Sequence, residues 1–275
     1  VTSNARNISV LSIHLVKLKD LKDICDSMIQ LKEFYLSFNG GDINSFERNI
    51  GCVRYISKLI NLEILVIIDD GRHHCNGING CHSLYTAPAL SEIVQKCTKL
   101  RCLNLLDYDN WHSKVPMVDD VLRDIKVHCP NLSTFGISAG LFELRKESYS
   151  LIIDMNLKKL NLQGDLELQQ MNTGSGRNGR KNNLNDQVII KLCKSNNILT
   201  CLMVSNSNLI TNESLEACFE MARRRPKEKF FFAFLSTAIT RPPNQSIPPN
   251  VSLDIHQPEF NLAFEDILDV STDSD

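Results

Sequence analysis

The 275-residue sequence predicts an α/β fold in which short parallel strands alternate with helices in a repeating array. Three observations carry this expectation: a recurring apolar phrase, stripes of helical spacing between its copies, and cap and stop residues at the joints. The phrase L-x-x-L-x-L reads Leu31–Phe34–Leu36, Leu62–Leu65–Ile67, Leu100–Leu103–Leu105, Leu132–Phe135–Ile137, Leu157–Leu160–Leu162 and Leu199–Leu202–Val204. A looser copy stands at Ile8, Leu11 and Ile13. First positions at 31, 62, 100, 132, 157 and 199 give intervals of 31, 38, 32, 25 and 42.

Each element follows from these patterns. The last two apolar residues of the phrase lie two apart, so they share one side of a strand while their neighbours take the other. Helices are predicted where residues recur at i, i+3, i+4 and i+7: Leu21, Ile24, Cys25 and Met28; Leu90, Ile93, Val94 and Cys97; Val118, Val121, Leu122 and Ile125; and Leu215, Cys218, Phe219 and Ala222. Thr86 with Pro88, and Thr211, read as helix starts; Pro130 and Pro226 fall where helices should stop. KFFFAFLSTA (229–238) reads as a buried strand, the eighth, and VSLDI (251–255) as a short final one. A strand plus a helix at this period is the pattern of a leucine-rich-repeat solenoid, a curved horseshoe with the parallel sheet on its concave face and helices on its convex face. Eight or nine irregular repeats are expected over residues 1–255, followed by an acidic and apolar tail, 256–275.

Two junctions are more specific than the leucines. VHCPNLSTFGI (127–137) and QKCTKLRCLNL (95–105) each place a Cys three residues before the first Leu of a strand, and LCKSNNILTCLMV (192–204) is a looser third instance. These residues resemble the cysteine-containing repeats of F-box/leucine-rich-repeat proteins, over residues 8 to 235. The resemblance implies a substrate receptor of a cullin–RING ubiquitin ligase. An F-box, a helical module opening on an L-P pair ahead of the repeats, is not found here. A ligase adaptor is therefore an expected partner only if such a module precedes Val1.

Composition narrows the function classes. The apolar fraction of 43% supports a large core, and the net charge of −2 makes no broad electrostatic case for nucleic acid or membrane. No transmembrane span or signal peptide is expected. Of the ten cysteines, Cys25, Cys97, Cys129, Cys193 and Cys218 fall on helical stripes or at helix ends, where they read as small buried residues, not disulfide partners. Five N-x-S sequons (Asn7, Asn131, Asn212, Asn244, Asn250) are weak signals in a chain so rich in Asn. A reducing compartment, cytosol or nucleus, is expected.

Three segments interrupt the repeat. DDGRHHCNGINGCHSLYTAP (69–88) holds His73, His74, Cys75, Cys81 and His82, residue types that ligate zinc, but its C-x5-C spacing lacks a second ligand pair. It reads as a plain surface loop, with metal as the weaker alternative. In LELQQMNTGSGRNGRKNN (166–183), Gly174, Gly176 and Gly179 match G-x-G-x-x-G without the strand that a dinucleotide site needs directly before it. A basic loop with Arg177, Arg180 and Lys181 is the favoured reading, and no cofactor is expected. The tail EFNLAFEDILDVSTDSD (259–275) mixes acidic residues with Phe260, Leu262, Phe264, Ile267 and Leu268. It reads as a frayed end or, as the resemblance implies, a segment lying back across the concave face.

No nucleophile–base pair, G-x-S-x-G or paired-carboxylate pattern appears, so an enzyme is not expected. Function is expected on the strand positions that alternate with the core leucines. Among these, Ile64, Val66, Ile68 and Leu106, with Tyr35 and Asn104 beside them, should form a contiguous outward patch that binds a protein on the concave face. The competing reading is a slipped register, or a patch covered by the 69–88 segment. Two functional readings stay open: an F-box-type substrate receptor, and a free-standing repeat scaffold without ubiquitin chemistry.

Overall fold

The computed structural model describes residues 8–15, 18–38, 52–69, 86–107, 118–140, 142–164, 183–243 and 246–256. In chain order they form β1 (Val10–Leu15), α1 (Leu18–Ser27), β2 (Glu33–Phe38), a 3-10 helix (Cys52–Lys58), β3 (Ile64–Asp69), α2 (Ala87–Lys96), β4 (Cys102–Asp107) and α3 (Val118–His128). Then follow β5 (Thr134–Ser138), α4 (Lys146–Ile153), β6 (Lys159–Gln163), α5 (Asp186–Ser195), β7 (Cys201–Ser207), α6 (Asn212–Arg224), β8 (Phe230–Thr237) and β9 (Val251–His256). The predicted fold class is the one found: parallel strands alternating with helices. The chain divides into two compact units, residues 1–132 with 140–144, and residues 133–139 with 145–275.

In unit one the strands run β1-β2-β3-β4, and in unit two β5-β6-β7-β8-β9, parallel in each unit and in sequence order. Crossovers between parallel strands are right-handed, so strands laid down in sequence order send their helices to one face of the sheet. That face takes the second and third apolar residues of each phrase. Phe34, Leu36, Leu65, Ile67, Leu103 and Leu105 are buried in unit one, as are Phe135, Ile137, Leu160, Leu162, Leu202 and Val204 in unit two. Each such side chain contributes about 1.5–3 kcal/mol through removal from water.

All four predicted stripes fall on helices: Leu21 and Cys25 are buried in α1 with Ile24 half-buried and Met28 just past its end, and the apolar faces are buried at Leu90, Ile93 and Val94 in α2, Val118, Val121, Leu122 and Ile125 in α3, and Leu215, Cys218, Phe219 and Ala222 in α6. Thr86 caps α2 by accepting from the Ala89 N–H at 3.3 Å, and Thr211 caps α6 by accepting from Glu213 N–H at 3.2 Å. The 3-10 helix and α4 lie outside the four stripes. In α4 the buried side includes Ser148, whose hydroxyl accepts from the Arg145 N–H at 2.9 Å, so a polar residue interrupts the apolar pattern. α5 buries only Ile189, Leu192 and Cys193, with Asn185 as its N-cap.

A second set of bonds links consecutive repeats. The last carbonyls of a helix have no partner within it. The Cys97 thiol donates to Leu59 O at 3.4 Å and Ile56 O at 3.7 Å, closing the 3-10 helix of the repeat before it. Cys129 does the same for α2, reaching Val94 O at 3.5 Å and Cys97 O at 3.9 Å. In unit two asparagines take this role. Asn196 donates to Leu157 O at 3.0 Å while its Oδ1 accepts from Ile198 and Leu199 N–H, and Asn250 donates to the carbonyl of Ala222 in the last turn of α6 and to those of Arg225 and Glu228 just beyond it.

One expectation is corrected. Tyr35, Ile64, Val66, Ile68, Asn104 and Leu106 are not exposed: they are between 1% and 7% accessible. The strand register is the predicted one, so no slip is responsible. The outer face of β2–β4 is covered as well as the helix side. ILVIID (64–69) carries the reason in its composition, since a near-continuous apolar run marks a strand buried on both faces, whereas one open face selects polar alternation.

Candidate functional site

The face opposite the helices is set by strand pairing. In unit one the cross-strand rows are Glu33–Ile64–Cys102, Tyr35–Val66–Asn104 and Ser37–Ile68–Leu106. The six residues singled out from the sequence therefore sit on three adjacent strands, as expected, in a layer that is buried. The Tyr35 hydroxyl lies 3.0 Å from a Glu33 carboxylate oxygen, to which it donates. Asn104 is 4% accessible, its Nδ2 is 3.8 Å from the Cys102 Sγ, and its Oδ1 has no hydrogen-bond partner. A buried acceptor left unpaired costs about 1–3 kcal/mol, which makes Asn104 the least satisfied group on this face.

In unit two the same positions read Thr134–Lys159–Cys201–Phe231–Ser252 and Gly136–Asn161–Met203–Ala233–Asp254. Here the face is partly open. Cys201, Met203 and Ala233 form a small buried apolar cluster, and Phe231 packs on it half-buried. Thr134, Asn161, Ser205 and Leu235 are also half-buried, and Ser252 is exposed. The β8 residues Phe231, Ala233 and Leu235 were not among the outward positions read from the sequence, because FFFAFL has no L-x-x-L phrase to set its register. Period-two alternation with Phe230, Phe232 and Phe234, which are 0–2% accessible, was the signal available.

Charges lie along the edges and helices. In unit one Glu63 pairs with Arg101 at 2.7 Å and Lys32 at 3.5 Å, and Asp26 takes both Lys22 and Lys58. Hydrogen bonds from Lys22 and Lys58 hold the Asp26 carboxyl below its usual value, and those from Lys96 and Ser57 do the same for Glu92. These groups are solvent-screened and contribute little to stability.

Cys25, Cys97, Cys102, Cys129, Cys193, Cys201 and Cys218 are free and buried. Burial pushes the thiols of Cys25, Cys97 and Cys201 up to about 12 and that of Cys129 to about 11. Cys218 is raised by its hydrogen bond with Cys193, 3.7 Å away, and by burial. Thiols in this state are poor nucleophiles. His73, His74, Cys75, Cys81 and His82 lie outside the described residues, as do Gly174, Gly176, Gly179 and the tail from 257. Among the described residues no group of three or more His, Cys, Asp or Glu is arranged to hold a metal, and no helix is long and apolar enough to cross a membrane.

No family model and no curated protein matches the chain by sequence. Its fold is similar to that of a solved chain from the crystal structure of the Rad7 and Elc1 complex in yeast, with a TM-score of 0.56 and 15% identity. The match covers 91% of this chain and 56% of that one, so this chain spans little more than half of its structural neighbour. A likeness of this degree establishes a shared fold.

Proposed function

We propose that this chain is a protein-recognition module, the substrate-binding part of an F-box-type receptor of a cullin–RING ubiquitin ligase, and not an enzyme. The observation that carries the reading is the array of in-register parallel strands whose face opposite the helices is partly open in unit two and bears mainly apolar and uncharged polar side chains beside Lys159 and Asp254, a surface suited to polypeptide. The likeness to a chain solved in the Rad7 and Elc1 complex supports a role in protein assembly. The Cys-x-x-Leu junctions at Cys97 and Cys129 support the resemblance to F-box/leucine-rich-repeat proteins. Seven free, buried thiols agree with a reducing compartment, cytosol or nucleus.

The test is affinity purification of the protein expressed from its full coding sequence. Co-recovery of a ligase adaptor and a cullin is the expected result. Partners recovered reproducibly without either component would replace this reading with that of a free-standing scaffold.

A further inference from the structure

Many of the cations of this chain stand at helix-to-strand joints, and the two units treat them differently. The strands of each unit are parallel and lie in sequence order, so the joints of a unit fall along one edge of its sheet, at the starting ends of the strands. In unit one these cations are neutralised or bonded. Lys32 and Arg101 pair with Glu63, Lys58 with Asp26 and Lys96 with Glu92, while Lys99 donates to Asn61 Oδ1 at 2.7 Å. In unit two the joints before β6, β7 and β8 hold Lys158, Lys194 and the run RRRPKEK (223–229). Arg223 pairs with Glu216 and Arg225 with Glu228. The ammonium groups of Lys158, Lys194, Lys227 and Lys229 have no partner among the described residues, and all four side chains are exposed. Arg224, also exposed, donates only to the carbonyls of Glu220 and Cys193.

Helix capping accounts for part of this charge. Lys194, Arg223 and Arg224 lie in the last turns of α5 and α6, where a cation complements the helix dipole. Lys158, Lys227 and Lys229 lie beyond the helices, so the dipole does not explain them. Neighbouring strands are about 4.8 Å apart, and Arg224 reaches Cys193 O, beside Lys194, at 2.9 Å, so these cations share one surface. Ile198, 44% accessible, stands among them at the β7 joint. The three joints hold no aromatic side chain on which a nucleic-acid base could stack.

The sequence supplies a segment of complementary make-up. Residues 257–275 hold Glu259, Glu265, Asp266, Asp269, Asp273 and Asp275 without a Lys, Arg or His, and they set Ile267 and Leu268 among these carboxylates. The segment follows β9, whose six residues separate its end from the basic edge by about 20 Å. An extended chain covers about 3.3 Å per residue, so about six residues bridge that length and Glu265 onward can lie at the edge. We infer that the acidic segment 257–275 docks on the basic edge of unit two within the same chain. Its carboxylates from Glu265 onward face Lys194, Arg224, Lys227 and Lys229, and its apolar residues meet Ile198. This goes beyond the ligase reading and does not depend on it.

The probe is a zero-length carbodiimide, which joins a carboxylate to an ammonium group only where they touch. It is applied to the full chain mixed with an isotope-labelled copy, and the products are read by mass spectrometry. Expected are links within one chain from Lys194, Lys227 or Lys229 to residues 265–275, lost in about 1 M salt, where the screening length is about 3 Å. Lys227→Glu with Lys229→Glu should abolish the Lys194 links, and Lys126→Glu, at an exposed position of α3, should leave them unchanged. Should the charge-reversed chain misfold, Asp266→Asn with Asp269→Asn and Asp273→Asn decides the matter. Acetylation of Lys194, Lys227 and Lys229 should then speed up severalfold while Lys126 keeps its rate. Absent links, links only between chains, links indifferent to salt, or acetylation rates unmoved by the tail substitutions overturn the inference. A chain that lacks the links and retains a duplex oligonucleotide through these lysines would make the edge a nucleic-acid site instead.

Discussion

The thiol of Cys129 donates to the carbonyl of Val94 at 3.5 Å, so the residue that ends α3 also closes α2 of the preceding repeat. Cys97 stands in the same relation to Leu59, at 3.4 Å. The cysteine at this joint is thus more than a small apolar filler. It adds a donor to carbonyls at the preceding helix end, several of which also accept a backbone N–H, and ties each repeat to the one before it.

Removing that donor should be measurable. Cys129→Ala is expected to lower unfolding free energy by about 1–2 kcal/mol, through the lost bond and the small void. Cys129→Val, which keeps an apolar side chain and drops the donor, should remain below wild type. Urea titration followed by circular dichroism reads both.

Alkaline pH should destabilise the fold through the same thiols. Folding raises Cys25, Cys97 and Cys201 from 9.0 to about 12 and Cys129 to about 11. Below the unfolded value both states hold the proton and stability is flat. As pH rises past 9.0 the unfolded chain loses protons that the folded chain keeps, so stability falls until the folded values are passed. The slope is at most about 1.4 kcal/mol per pH unit for each thiol. Denaturation midpoints measured from pH 7 upward should hold level and then drop, with a shallower drop in Cys97→Ala.

Val66 and Ile68 are 1% and 2% accessible, so charges there enter a dry layer. Val66→Asp and Ile68→Asp are each expected to cost about 3–5 kcal/mol. Thermal melts should show a large fall in the midpoint.

In unit two Asn196 serves three backbone groups at 3% accessibility. Asn196→Ala leaves them unpaired and should destabilise by about 2–4 kcal/mol, whereas Asn196→Asp keeps the acceptor and should cost less. Chemical denaturation of the two variants should rank them in that order.

Gly164 donates to Ser205 O at 2.7 Å, and a Cβ there would sit 2.1 Å from the carbonyl oxygen of Asn206. Asn206 holds a left-handed φ of 57°, so the obstructing group is constrained backbone. Gly164→Ala should therefore lower stability by at least about 2 kcal/mol, and Gly164→Ser at least as much, as read from urea midpoints.

The repeating phrase was sufficient for the strands, because an alternation of period two is a local property of the chain. Leu65 and Ile67 against Val66 and Ile68 specify a strand, its register and its two faces without reference to anything distant. The helix stripes at Leu90 and Leu215 were legible for the same reason, and α4 was less so because the buried Ser148 breaks the apolar count. The dry outer face of β3 was written in the apolar run ILVIID, but that of β2 was decided by tertiary structure alone. Ser37 is outward by register and buried in fact, since accessibility depends on what packs over a strand and the polar alternation of EFYLSF does not encode it. Likewise the role of Cys129 is set by carbonyls about one repeat earlier. A thiol's neighbours in sequence cannot show a bond to Val94, because the bond exists only once two helices have been brought side by side.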